Sequence, residues 1–477
     1  MAGMADLREA ITAASGALPL IPKDISPLLL EYVRKFAPTR VAFPRQTWNT
    51  DIYYFNQRNA LPRAQFVQEV PPLTGAGSVT ATSSNYLQTA FAIKHFQSNG
   101  DVSKFAQKVA RVNGSLLDLE IRGSTMAMGW LEEIAHIYGN AAATVNTLRP
   151  QWDGLDRQIG ATNKIDAQSI VSGTGLFNFA MLDALIDAVR VPYAANLSGD
   201  NYFFMMSPKM QSRLVQQTLA NTRLMLEKRP IQPKTDGGVF GDPVVTDVTD
   251  PGVEVYYYRG VPIIETSFLS AQGQMGAVAL SQAAGTTPFL LNAVRKYVVS
   301  AVTIYGETLA CAEQSITIST AGNSVTLTWA TPTILDPFGN ALPIILYRIF
   351  ESATSGAETL LAVVPAFDNN DNPVTSFTDL GAASAANALY WQSGANGDGA
   401  TYPLTSVAGN ANGYGVENIY LCSRDPETCV VPVVNDLTAE ILAPVNARSV
   451  QFAVTGDQCL AIRAPLFAAK LERCRFA

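Results

Sequence analysis

The sequence predicts an α+β fold interrupted by an all-β sandwich. Three patterns predict it. Apolar or small residues recur at helical spacing from Val102 to Ile137. Helical and strand patterns alternate over residues 170–300. From residue 284 to about 400, short strand patterns follow one another with no helix between them. At about 150 residues per domain, 477 residues suggest about three domains. The apolar content of 48 % is enough for ordinary cores, while only 15 % of residues are charged, against about 25 % in typical soluble domains. Such a lightly charged surface suits a protein that covers much of itself with partners. A net charge of −7 and a pI near 5.1 argue against a general electrostatic nucleic-acid binder.

Residues 1–47 read as an extended arm. A short helical patch at Asp6 to Ala14 is followed by Pro22, Pro27, Pro38 and Pro44, with the apolar run Leu28 to Phe36 between them. Residues 48–98 read as a β excursion. Asp51 to Gln57 and Tyr86 to Phe96 are strand-like, and Arg58 to Asn85 between them has no core of its own. An excursion of that length needs another surface to lie on, in the same chain or in a neighbour.

Residues 99–154 carry the clearest helix. Val102, Phe105, Val109, Val112, Leu116, Leu119, Gly123, Met126, Trp130, Ile134 and Ile137 form one stripe, and Asn99-Gly100-Asp101 supplies a break and an N-cap. A helix over 101–138 would be about 55 Å long. Gly114, Gly123 and Gly129 favour a spine lying on a sheet over the rival coiled coil.

Residues 155–283 alternate. Phe179 to Arg190 fits a helix and Tyr202 to Met206 a buried strand. Ser207-Pro208 caps the next helix, and Val253 to Tyr258 with Val261 to Ile264 makes a hairpin turning at Arg259-Gly260.

The segment 284–400 shows strands at Tyr297–Thr303, Ser315–Ser319, Val325–Ala330, Ile344–Phe350, Leu360–Val364 and Ser376–Asp379. It holds three basic and nine acidic residues, a net of −6 out of the chain's −7, which reads as an acidic, solvent-facing outgrowth. Residues 401–477 return to the host with strands at Val416–Leu421, Cys429–Val434, Ser449–Thr455 and Gln458–Arg463.

Signals for chemistry are lacking. The two histidines, His95 and His136, make no zinc motif, and His136 reads as a solvated or packed helix residue. Nucleophile-elbow and phosphate-loop motifs do not occur. Asp368, Asn370 and Asn372 alternate like the start of a calcium loop, but Pro373 stands where its glycine belongs, so they read as an Asx-rich turn. The five scattered cysteines read as free thiols of a cytosol-made protein. Neither a secretory signal nor an apolar run long enough to span a membrane is visible. The chain is read as no enzyme, with no cofactor and no metal.

Several stretches, in this order, resemble tailed-phage major capsid proteins of the HK97 fold. They are Ile21-Pro-Lys-Asp-Ile-Ser26 with Glu31-Tyr-Val-Arg34, Gly100 to Phe105, Ile137-Tyr-Gly-Asn140 with Gln151-Trp-Asp-Gly-Leu155, Met206-Ser-Pro-Lys209, and Pro465-Leu-Phe467. The resemblance implies an N-terminal arm (1–47), an E-loop (48–98), a P-domain with its spine helix (99–154), an A-domain (155–283) and return strands (401–477). Segment 284–400 resembles an Ig-like or fibronectin type III module through Tyr297-x-Val299-x-Ala301, Tyr305-Gly-Glu307 and Val325-x-Leu327-x-Trp329, although the tyrosine/glycine signature here precedes the tryptophan strand.

The implied function is self-assembly into hexamers and pentamers of an icosahedral shell around a double-stranded DNA genome. The implied setting is a virion, with subunits made in the host cytoplasm. The implied partners are further copies of the chain, a separate scaffolding protein, a portal and packaged DNA held without sequence-specific binding. A cement or decoration protein is a further partner the resemblance allows, and no membrane is involved. Some family members crosslink through an E-loop lysine, but Arg58 to Asn85 has none. Tyr53, Tyr54, Phe55, Arg63 and Phe66 are the expected E-loop anchors on a neighbour, since aromatics and arginine dominate interface energies. Arg34 and Lys35 in the arm are expected to meet a neighbour's carboxylates. The rival reading is an extracellular or virion-surface protein that uses its Ig-like module to bind carbohydrate or a host.

Overall fold

The computed structural model describes residues 38–60, 62, 66, 83–109, 115–139, 141, 150–170, 176–193, 201–220, 227–230, 254–269, 275–303, 306–308, 310–334, 341, 343–354, 358–368, 372–381, 385–389, 416–442 and 449–475. The fold is α+β, with few helices and many strands. The chain divides into two compact units. In described residues the smaller comprises Ser98–Met126 and Ala439–Val454, with Ala37–Gln97, Ala127–Thr438 and Thr455–Ala477 in the larger.

Within the smaller unit, the predicted helix start moves. Asn99-Gly100-Asp101 lies inside a strand, Lys94–Ser103, rather than breaking the chain. The strand's alternating burial explains why. A Cβ on Gly100 would sit 2.2 Å from the Phe452 ring, so glycine is what lets that ring lie on the backbone. Helix follows as Lys104–Val109, where Phe105 is exposed rather than part of a stripe, and then as Leu116–Tyr138. Its 23 residues make the spine about 35 Å long. The Ser115 hydroxyl accepts a bond from the Asp118 amide at 3.3 Å at the helix start.

In the larger unit, the end of the spine helix is buried on every side from Glu132 to Gly139. That pattern suits a helix enclosed by its own chain and not an exposed coiled-coil seam. The helix stops where Gly139 and Gly154 meet. The Gly154 amide donates to the Gly139 carbonyl at 2.8 Å, and a Cβ on Gly139 would lie 2.4 Å from the Trp152 carbonyl. The Ile137 to Asn140 and Gln151 to Leu155 motifs are therefore two sides of one close backbone contact, with Asn140 itself outside the described residues.

A seven-stranded mixed sheet runs in the order Lys164–Asp166, Ala469–Arg475, Val416–Ser423, Tyr202–Met206, Val261–Glu265, Glu254–Tyr258, Glu227–Pro230. Helix Phe179–Tyr193 buries Met181, Leu182, Leu185, Ile186 and Val189 in the same cluster as this sheet's Phe204, Ile263 and Leu471. Ser207 caps helix Pro208–Ala220, its hydroxyl accepting the Met210 amide at 3.2 Å. The hairpin turns at Arg259 and Gly260, with φ of 49° and 81°, as a two-residue turn requires.

All six strands expected within 284–400 are present. They fall in two antiparallel sheets, which also hold Gly306–Glu307, Ala385–Leu389 and Val278–Ala283, the last starting before the expected boundary. The smaller sheet holds Val278–Ala283, Ser324–Trp329 and Ser376–Asp379. The larger is built on Val294–Thr303, Ile344–Ser352 and Thr359–Pro365. Trp329 of one sheet meets Tyr347 of the other at 5.1 Å between ring centroids, and the Tyr297 hydroxyl donates to Asp379 at 2.7 Å.

The expectation of a solvent-facing acidic outgrowth is corrected. Residues 297–303 and 346–351 are buried without alternation, so both faces of these central strands are covered. One apolar cluster runs from Ile137, Trp152 and Phe203 of the host to Val299, Leu327 and Tyr347 of the sandwich. Glu307, Glu358 and Asp379, counted as surface charge, are buried.

Candidate assembly surface

The hairpin Ile52–Ala60 with Asn85–Ala92 has two unlike faces. Antiparallel pairing sets Tyr53 opposite Phe91, Phe55 opposite Thr89 and Gln57 opposite Leu87 on one face. Tyr54, opposite Ala90, and Arg58, opposite Tyr86, lie on the other.

The first face is rooted in its own chain. Tyr53 is 1 % exposed, clustered with Val430 and Ala461, and its ring meets Trp48 edge-on at 4.8 Å. The Arg463 guanidinium donates to the Tyr53 hydroxyl, and the Gln57 amide donates to the Arg463 carbonyl. Phe55 is half-buried and stacks on Phe91 at 5.9 Å. The second face is open, with Tyr54 49 % and Tyr86 67 % exposed.

The expected anchors therefore separate. Tyr53 is a packing residue of its own subunit, because Trp48 and the strand Cys429–Ile441 give it a bed. The expectation that the hairpin lacks any bed in its own molecule is corrected for this root. Tyr54 and Phe66 are exposed. Arg34, Lys35 and Arg63 lie outside the described residues. Sequence reasoning passed over Tyr86 and Leu87, although their place in the alternation Tyr86 to Ile93 signalled which faces they share with Tyr54 and Tyr53.

Two buried charge clusters fix the surrounding framework. In the first, Glu132 and Glu133 near the end of the spine helix are wholly buried. Glu132 accepts Arg40 at 2.6 Å and Arg45 at 2.7 Å, and both arginines also reach Asp436. Burial alone would raise the Glu132 carboxyl, but Arg45, His136 and Arg40 hold it below the usual range. Glu133 accepts the Thr39 amide at 2.8 Å and the Thr266 hydroxyl at 3.1 Å. His136, packed edge-on to Phe43, is pushed down to about 4 by burial and by Arg45 and Arg40, against the pull of Glu132. Residues 38–45, where the arm ends, are thus tied to the spine.

In the second cluster, Asp156 accepts Arg348 at 2.8 Å, Lys470 at 2.8 Å and the Tyr420 hydroxyl. Arg348 also pairs with Glu307 at 2.5 Å, and Lys470 with Glu472 at 2.7 Å. Despite burial, Lys470 and Arg348 hold the Asp156 carboxyl well below the usual range. Lys164 nearby is pushed down to about 8, chiefly by burial. No sequence signal marked either cluster, since the paired residues lie far apart in the chain.

Among the described residues no group of three or more His, Cys, Asp or Glu could hold a metal ion, and no helix is long and apolar enough to cross a membrane. The Asp368 carboxylate accepts the Asn372 amide at 2.9 Å. The five cysteines are buried and unbridged.

No family model matches the chain, and no curated protein does. Three solved structures are among those similar to it. The holo-SrpI encapsulin complex from Synechococcus elongatus PCC 7942 is 9 % identical, with 98 % of this chain and 95 % of that chain covered and a TM-score of 0.41. The capsid of a native GTA particle is 10 % identical, with 96 % and 97 % covered and a TM-score of 0.44. A structure from Mycobacterium phage Bobi is 12 % identical, with 97 % of each chain covered and a TM-score of 0.42.

Proposed function

We propose that this chain is a shell-forming subunit, the major capsid protein of a tailed double-stranded DNA phage with the HK97 fold. Copies assemble through hexamers and pentamers into an icosahedral container around the genome. The observation that carries this reading is the hairpin Ile52–Ala60/Asn85–Ala92. Its root is fixed to its own subunit through Tyr53, and its other face leaves Tyr54 and Tyr86 uncovered. A lone pair of strands is marginal in water and gains by settling on a further surface.

The order of arm, hairpin, spine helix, mixed sheet and returning strands supports the same reading. Arg45–Thr47 pairs with the late strand Cys429–Ile441, and Lys164–Asp166 with Ala469–Arg475. The shell is held noncovalently, since residues 58–85 offer no lysine for a crosslink. Contacts of modest area with several neighbours then sum to a stable particle while letting misplaced subunits leave. Scaffolding and portal proteins are separate chains, and the subunit performs no catalysis.

Sedimentation velocity of the full chain and of Tyr54→Ala/Tyr86→Ala tests this. The parent is expected to sediment as large closed particles or capsomers and the variant as a folded subunit. Identical assembly of both overturns the role given to the hairpin.

A further inference from the structure

We propose that Arg348 is a clamp that makes the sandwich and the host sheet one cooperative folding unit. The inserted strands are then a built-in part of the subunit and not a detachable module. Two independent observations point to it. The first is burial. In strand Ile344–Ser352, Tyr347 and Ile349 face the smaller sheet of the sandwich, as the Trp329–Tyr347 contact shows. Leu346, Arg348 and Phe350 alternate with them onto the opposite face, and all three are 0–1 % exposed. In the paired strand, Val298, Ser300 and Val302 share that face and are equally buried. A sandwich standing free in solvent would leave this face wet.

The second is the charge geometry. The Arg348 guanidinium bridges Glu307 of the sandwich and Asp156 of the host, and it lies 5.3 Å from the ring centroid of Tyr138 in the spine helix. Its cross-strand neighbour Ser300 donates to the same Glu307. On the host side, Lys470 and Tyr420 hold Asp156, and Lys470 pairs onward with Glu472. Five charged side chains at most 4 % exposed form a closed set, each paired with another. Apolar burial alone is non-directional and would tolerate sliding of the sheet. The bridge adds a fixed point, because moving either partner leaves a charge buried and unpaired.

The inference concerns one subunit and stands whether or not subunits assemble. Hydrogen exchange across a urea series on the full chain tests it. In the parent protein, peptides from Val294–Thr303 and Ile344–Ser352 are expected to lose protection at the same urea concentration as those from Tyr202–Met206 and Ala469–Arg475. A separate, earlier transition for the sandwich strands in the parent overturns the proposal by itself. The variant Arg348→Met/Glu307→Gln removes the bridge without stranding Glu307. In it the sandwich strands are expected to lose protection on their own transition, at a lower urea concentration than the host strands, which keep theirs. A single shared transition in this variant also overturns the proposal. If the variant does not fold, the parent measurement decides.

Discussion

Replacing Glu132 by glutamine removes one charge from a site that is wholly buried and touched by two arginines. Taking one partner out of a buried pair costs about 3–5 kcal/mol. Arg40 and Arg45 keep 22 % and 17 % of their side chains exposed and retain Asp436, so the lower end applies, about 3 kcal/mol. Asp436 has the same two partners at similar distances but is 46 % exposed. Asp436→Asn should therefore cost less than about 1 kcal/mol. Urea unfolding of both variants, followed by circular dichroism, gives the two numbers side by side.

The pH dependence has a definite sign. The Glu132 carboxyl is held below its ordinary value, so the stability it contributes is present above the usual carboxylate range and lost as pH falls through the lowered value. Glutamine at 132 should remove that acid sensitivity. If Glu132→Gln costs no more than Asp436→Asn, burial is not what gives this pair its strength, and the reasoning fails.

Three further outcomes are expected. His136 is held neutral by burial, with its value lowered to about 4, so the unfolded chain binds a proton first as pH falls. Stability should be full above about pH 6.5 and drop by about 3 kcal/mol toward pH 4, a fall that urea midpoints should show blunted in His136→Gln. Gly154→Ala places a Cβ 2.7 Å from the Gly139 amide nitrogen, a backbone atom that cannot step aside, and should cost about 3 kcal/mol in the same assay. Tyr53→Ala should cost about 3–5 kcal/mol in the isolated subunit. Tyr54→Ala, one residue along, should stay within about 0.5 kcal/mol there and act only on assembly; equal effects would contradict the two-faced hairpin.

Much of the fold was legible because the signals are local. The strands of the sandwich declare themselves through alternation and β-branched residues. Ser207-Pro208 and Arg259-Gly260 carry their cap and turn chemistry in adjacent residues. The helix start was misplaced because Val102 and Phe105 satisfy the helical period while the stretch also alternates at period two, and only Phe452, some 350 residues on, selects the strand. Tyr53 and Tyr54 read alike because alternation separates two faces without saying which one the chain itself covers. The charge clusters were invisible for the same reason: Asp156 meets Arg348 and Lys470, and Arg45 meets Glu132, only through tertiary contact. Counting carboxylates in 284–400 gave an acidic segment but neither the burial of Glu307, Glu358 and Asp379 nor the Arg348 bridge that ties Glu307 to the host's Asp156.

Electron microscopy of the full chain at high concentration bears most directly on the assembly claim. Closed shells or ring-shaped capsomers are the predicted images. A field of dispersed 51.1 kDa particles, under conditions where the hairpin's outer face stays uncovered, would contradict it.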